Sequence, residues 1–258
     1  MAESMQVLAP SGLPDFQPGD NLTEAIATTL KEQQITLQDG DILVIAHKVV
    51  SKCEGAVFDI NDITPSAEAC ALAAGVNKDP RKVELILRQS KRVIRAVKRP
   101  GQSEGILIAE HKLGFTCANA AVDESNADHL GQLITLPENP DASARNVCSG
   151  LEQIFNCRLG IVISDTFGRP WRLGQVNVAV GLANVPGIVP LYGDRDAWGR
   201  ELKVTAPAFA DELAAASGLL MAKDGKCPLI IFRGLDWQPD SGAKAAHLLR
   251  PSQEDLFK

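Results

Sequence analysis

The chain predicts a mixed α+β fold, and three observations carry that expectation. Apolar runs of strand length, ILVIA from Ile42, GIVIS from Gly160 and PLIIF from Pro228, stand among segments with helical spacing. Strands and helices interleave irregularly, which favours a mixed sheet over a regular doubly wound one. An alanine-rich segment, APAFADELAAASGLLMAK from Ala206, supplies small residues for close packing against a sheet or a second subunit.

Taken in order, QVLAPSGLPDFQPGDN is a short apolar strand followed by a structured loop with Gly12, Pro14, Pro18 and Gly19. Asn21 and Glu24 form a capping-box pattern, and Leu22, Ile26 and Leu30 predict a helix to about Lys31. ILVIA is a buried strand that runs on into HKVVSK. If the chain stays extended there, Lys48, Val50 and Lys52 share one face, and either an anion sits between the two ammonium groups or lysines protect a sheet edge. Thr64 and Pro65 open a helix to about Gly75, and Asp79 and Pro80 open another carrying Val83, Ile86 and Leu87. A strand then carries Lys91, Arg92, Arg95, Lys98 and Arg99, either a solvated face or a surface for an acidic substrate.

GILIAEHKLGFTC predicts two short strands joined near His111, running into Asn119, Asp123, Glu124, Ser125 and Asn126. That loop either collects a hard cation through Asp123 and touches a ligand through Asn126, or starts a helix with an Asx turn. Asp141 caps a helix through Phe155 with Val147, Leu151, Ile154 and Phe155 as its stripe. GIVIS then empties into SDTFGRPWR, where Gly168 and Pro170 fix a turn. Asp165 and Thr166 there are either oxygen ligands at a strand end or part of a surface turn with solvated arginines. QVNVAVGLANV follows as a strand, and the loop after it holds Asp194, Arg195, Asp196, Arg200 and Glu201, charges expected to pair with one another. A last strand follows the alanine-rich helix, and the polar tail from about 238 to 258 is expected to be peripheral.

Composition narrows the function. With 258 residues, 32 acids against 26 bases and a net charge of -6, the overall field repels polyanions, and a 5% aromatic share offers few stacking platforms for nucleic acid. The start, MAESMQVLAP, lacks the pattern of a secretory signal, and no stretch approaches a membrane helix. A cytoplasmic protein is expected. Six cysteines without a C-x-x-C pair read as free thiols. Walker, dinucleotide-fingerprint, zincin and nucleophile-elbow motifs are absent from the sequence. What remains is HKVVSK, VDESN and SDTFGRPWR, cations, acids and hydroxyls that together form the parts list of phosphoryl transfer.

Longer motifs point the same way. GLP from Gly12, HKVVSKCEG from His47, HKLGFTCANAAVDESN from His111, ISDTFGRPWRLGQVNVAVG from Ile163, GDRDAWGRELKVT from Gly193 and ADELAAASGLLM from Ala210 occur in this order. In them the chain, from about Gly12 to Gly234, resembles the coenzyme F420-0:L-glutamate ligase (γ-glutamyl ligase) family. The resemblance implies one ligase domain over 1–258, a mixed-sheet fold of two intertwined subdomains, no appended nitroreductase-like domain, and a homodimer. It also implies GTP-dependent addition of L-glutamate to coenzyme F420-0 through an acyl phosphate, with GDP and phosphate released and magnesium or manganese required. Potassium is a candidate further ion.

By the same resemblance, Asp165, Asp123 and Lys52 are the catalytic residues, Asp123 and Asp165 hold one metal, and Thr166 helps hold a second. Ser11, Gly12, Leu13, Pro14, His47, Lys48, Lys52, Asn126 and Lys223 form the GTP site. Lys223 stands where some relatives place a metal-reaching glutamine; a protonated ammonium cannot ligate metal, so a second site there needs water or another acid. The alternatives are a deazaflavin-binding protein without ligase activity and an amide-forming ligase for a different acceptor acid.

Overall fold

A computed structural model of the chain describes residues 4–125, 127–221 and 226–255. The mixed α+β expectation holds. In chain order the elements are β1 (Gln6–Leu8), α1 (Leu22–Glu32), β2 (Ile42–Ala46), α2 (His47–Cys53), β3 (Val57–Asp59), α3 (Ala67–Val76), α4 (Pro80–Gln89) and β4 (Ser90–Val97). They continue with β5 (Ile106–His111), β6 (Thr116–Ala118), β7 (Gln132–Ile134), α5 (Pro140–Phe155), β8 (Gly160–Arg169), β9 (Arg172–Ala183), α6 (Phe209–Ser217) and β10 (Leu229–Arg233).

The three apolar runs are the centre of one five-stranded sheet in the order β1-β10-β2-β8-β9. It is mixed: β2 and β8 run parallel, and the other neighbours are antiparallel. Ile42 to Ile45, Ile161 to Ile163 and Leu229 to Phe232 are almost fully excluded from solvent, as strands covered on both faces must be. Helices α5 and α6 pack on β8 and β9. Small residues set that distance: a Cβ on Gly181 would lie 2.6 Å from backbone atoms of Pro140.

A smaller three-stranded sheet, β4-β5-β6, and a two-stranded one, β3-β7, complete the fold. Two hydrophobic cores result. One joins the large sheet to α1, α5 and α6; the other joins Ala69 and Ala73 of α3 with Val83, Leu85 and Ile86 of α4 and Leu107 and Ala109 of β5.

The helix-start chemistry is local and mostly follows the sequence. Asn21 accepts the Glu24 N–H at 3.2 Å, and Asp79 accepts that of Arg81 at 2.8 Å with Pro80 at the first helical position. Two caps shift. Ser66, not Thr64, caps α3 and leaves Pro65 ahead of the cap, and Asn139, not Asp141, caps α5 with Pro140 at its first position. Asp141 Oδ1 instead accepts N–H groups of Leu182 and Ala245, tying three parts of the chain together.

Two corrections bear on the site. HKVVSK does not continue β2 as a strand, because the chain turns at Ala46 into α2. Lys48 and Lys52 still share a face, since i and i+4 lie on one side of a helix as they do of a strand. SDTFGR is not a loop either: β8 runs through it to Arg169, paired with β9 as a long hairpin whose turn is Pro170 and Trp171, the latter at φ +63°. A strand paired with β9 satisfies the backbone of this polar stretch, so the polar side chains do not end the strand.

The mixed charges after β9 make turns more than ion pairs: Asp196 Oδ1 accepts the N–H groups of Trp198 and Arg200, and Arg195 donates to the Gly199 carbonyl at 2.7 Å. The tail is less peripheral than its polarity suggests. Ala243 and Ala245 are buried in the main core, and Asp240 bridges Asn184.

Candidate active site

At the C-terminal ends of the parallel pair β2 and β8 the protein opens a cavity of about 980 Å³. Leu13 to Gln17, Ala46 to Val49, Lys52, Ala127 and Asp128, Ser164 to Thr166, Gln175 to Asn177, the end of α6, and Met221 with Lys226 to Pro228 line it. Five segments far apart in sequence therefore meet, because side chains at strand ends project beyond the ladder where loops converge.

Asp165 and Thr166 lie on the wall contributed by β8. The period of two puts Asp165 on the same face as Phe167, which meets Phe115 edge-on with ring centroids 6.1 Å apart. Asp165 Oδ1 accepts the Thr166 N–H at 2.7 Å and lies 3.2 Å from His47 Nε2. That approach is close enough for an ion pair and too far off line for a hydrogen bond, so the buried Nε2 has no hydrogen-bond partner. His47 Nδ1 meets Ser51 Oγ at 3.1 Å, one helical turn on, which fixes the ring. Thr166 Oγ1 donates to Asn177 Oδ1 at 2.8 Å.

The two lysines of α2 are each held by a carboxylate. Lys48 Nζ donates to Asp123 Oδ2 at 2.6 Å, and to the carbonyl and hydroxyl oxygens of Ser125. Burial alone would raise the Asp123 carboxyl, yet the Lys48 hydrogen bond and charge, with the N–H and O–H of Ser125, hold it far below the usual carboxylate range. Lys52 Nζ hydrogen bonds to Asp128 Oδ1, whose partner oxygen takes Gln17 Nε2 at 3.2 Å. The Lys52 bond lowers Asp128 likewise. Lys82 of α4 pairs with Glu124 at 3.0 Å, so three lysines tether Asp123 to Ser125 and Asp128. Behind Asp165, burial pushes the His111 imidazole down to about 4 and the Cys117 thiol up to about 12.

Of the sequence-derived candidates, Leu13, Pro14, His47, Lys48, Lys52, Asp165 and Thr166 line the cavity. Ser11 and Gly12 stand outside its lining; the Ser11 carbonyl is hydrogen bonded by Gln33 at the end of α1. Asp123 does not line it and is engaged by Lys48. Asn126 and Lys223 lie outside the described residues. Arg169 reaches the Leu173 carbonyl at 3.5 Å across the hairpin and makes no pair with Asp194 or Asp196. The sequence reading gave no role to Gln17, Asp128, Gln175 or Asn177, and it held Ser164 only as the start of SDTFGRPWR and Lys226 only as part of the loop from Met221 to Pro228, which resembles a nucleotide-contacting stretch of the family. Asn177 was visible as the one polar residue inside VNVAV, while Asp128 carried no local signal.

The donor types suit a hard cation. Asp165 and Asp123 are carboxylates, Thr166 adds a hydroxyl, and the ionised state of Asp123 is enforced by its neighbours. Among the described residues, no group of three or more His, Cys, Asp and Glu side chains is close enough to hold a metal alone. A cation here would complete its shell with ligand phosphates and water, as magnesium commonly does.

A charged, partly enclosed cavity at the ends of a parallel strand pair, inside a mixed α+β chain, defines an enzyme cleft for a small polar ligand. The model of the F420-0:Gamma-glutamyl ligase family matches residues 12–234. A coenzyme F420:L-glutamate ligase of Methanopyrus kandleri is 43% identical over 246 residues, 94% of this chain and 93% of that protein. Proteins of the same name from Methanothermobacter thermautotrophicus and Methanocaldococcus jannaschii are each 41% identical, covering 98% and 95% of this chain and 99% and 94% of their own. The chain belongs to the F420-0:gamma-glutamyl ligase family and is a ligase. No described helix is long and apolar enough to cross a membrane.

Proposed function

We propose that the protein joins L-glutamate to the terminal carboxylate of coenzyme F420-0 with hydrolysis of GTP, in company with magnesium or manganese. The observation that carries this reading is the pair Lys48 and Lys52, one helical turn apart on the cavity wall and each neutralised by a carboxylate that an anionic ligand can replace. Two such cations suit a triphosphate, because phosphoryl transfer needs positioning and charge neutralisation more than a protein nucleophile.

In this reading the acceptor carboxylate attacks the γ-phosphorus and GDP leaves, forming an acyl phosphate. The glutamate amine then attacks the acyl carbon, phosphate departs, and the amine loses its proton to solvent. Lys48 and Lys52 bind phosphate oxygens, the loop with Leu13 and Pro14 closes one side, and His47 holds its ring against Asp165. Asp123, Asp165 and Thr166 would hold the divalent cation, which supplies charge neutralisation between nucleotide and acceptor. Potassium remains part of the proposal only as an accessory ion.

The exposed Trp171, Leu173, Trp198 and Val204 support a homodimer, which sedimentation would test. The function is tested by incubating the protein with GTP, manganese, glutamate and the deazaflavin precursor. A product heavier by one glutamyl unit, formed with GDP, is expected; neither product nor GDP refutes the reading.

A further inference from the structure

Ser164 is a residue of the cavity wall whose hydroxyl the fold leaves unused. It is only 2% exposed, it lines the cavity, and its hydroxyl has no hydrogen-bond partner. A buried hydroxyl without a partner loses its water bonds and gains nothing in return, so folded proteins rarely keep one unless a ligand completes it.

The position is defined by the sheet. Ser164 pairs with Ala46 at the last step of the parallel ladder and with Ala179 on β9, two alanines that offer no side-chain partner. From Ser164 to Thr166 the register with β9 is regular, so the two hydroxyls share one face with Asn177 opposite Thr166. Thr166 spends its proton on Asn177 Oδ1. Ser164 alone in that row keeps a proton to donate.

We propose that Ser164 donates a hydrogen bond to a phosphate oxygen of the nucleotide held in this cavity. This rests on the nucleotide site proposed above. A hydroxyl donor next to Asp165 and Thr166, in the cavity that Lys48 and Lys52 of α2 also line, stands among the charged groups to which the proposed function gives the phosphates, and one hydrogen bond to a charged acceptor is among the stronger kinds.

The test uses the full chain and Ser164→Ala, measuring thermal midpoint without ligand and affinity for GDP and for guanosine in the presence of magnesium. The proposal expects an unchanged or higher midpoint, because a hydroxyl bonded to nothing in the protein is lost, with GDP binding weakened about tenfold and guanosine binding unchanged. A lowered midpoint with unchanged GDP affinity makes the hydroxyl structural and overturns the proposal. Equal weakening of GDP and guanosine moves the contact to the nucleoside and overturns the phosphate assignment. Wild-type protein that binds neither ligand refutes the nucleotide site itself, whereas wild-type binding matched by the variant refutes Ser164 alone.

Discussion

Lys48 Nζ lies 2.6 Å from Asp123 Oδ2, joining α2 to the loop that follows β6 across 75 positions of sequence. The pair is half-buried: the Lys48 side chain is 15% exposed and that of Asp123 39%. Removing one partner leaves the other charged and poorly solvated, so Lys48→Met and Asp123→Asn should each destabilise the fold. The double variant should lose less than the sum. With the solvent screening that exposure of Asp123 brings, a coupling of about 1 kcal/mol is expected from denaturant unfolding of the four proteins. Strict additivity would show that the contact carries no coupling.

Asp165→Asn changes charge and almost no volume, and the backbone contact from Thr166 can be kept by the amide oxygen. The fold should therefore persist, as judged by an unfolding midpoint within a few degrees of wild type. Ligase turnover should fall by about a hundredfold or more, the scale seen when groups that orient or hold a metal are lost. Wild-type turnover in this variant would remove Asp165 from the chemistry.

How far the sequence disclosed all this depends on which interactions are local. Strands such as Ile42 to Ala46 and Leu229 to Arg233 were legible because complete burial demands uninterrupted apolar runs, and Asn21 and Asp79 were legible because a cap is set within three residues. HKVVSK misled because lysines at i and i+4 share a face in either conformation, so spacing could place the ammonium groups but not name the element. SDTFGR misled because its polar residues are paired backbone to backbone with a strand fifteen positions and less away, which polarity does not reveal. Asp128 was invisible for a plainer reason: its partners Lys52 and Gln17 are 76 and 111 positions distant.

His111 makes a prediction about acid. Its Nδ1 accepts the Leu113 N–H at 2.9 Å, so the neutral ring carries its proton on Nε2, which is buried without a partner. Burial, aided by the charges of Lys112 and Lys91 and opposed by Asp165, lowers the ring from 6.5 to about 4. The unfolded chain then binds a proton before the folded one does. The resulting stability is fully present above about pH 6.5 and is lost as pH falls through 4, by about 3 kcal/mol in all. Unfolding measured from pH 7.5 to 4 should show this slope in wild type and lose it in His111→Gln, whose amide oxygen can still accept the Leu113 N–H. Parallel pH profiles for the two proteins would refute the assignment.

Asp128 yields the remaining prediction, because its carboxylate holds the Lys52 ammonium that the proposed function assigns to a nucleotide phosphate. Its carboxylate takes the Lys52 ammonium and Gln17 Nε2, and the residue lines the cavity. In the ligand-free protein this carboxylate therefore competes with any anion for Lys52, and a competitor that must be displaced weakens apparent affinity by the fraction of time it holds its place. Asp128→Asn keeps the size and the link to Gln17 but gives up the negative charge. Nucleotide affinity measured by titration calorimetry should rise by about threefold to tenfold, with the gain largest for the triphosphate, which carries the most charge to place on Lys52. Unchanged affinity would mean that Asp128 and the ligand use Lys52 together, and the carboxylate would then belong to the bound state as well as the free one.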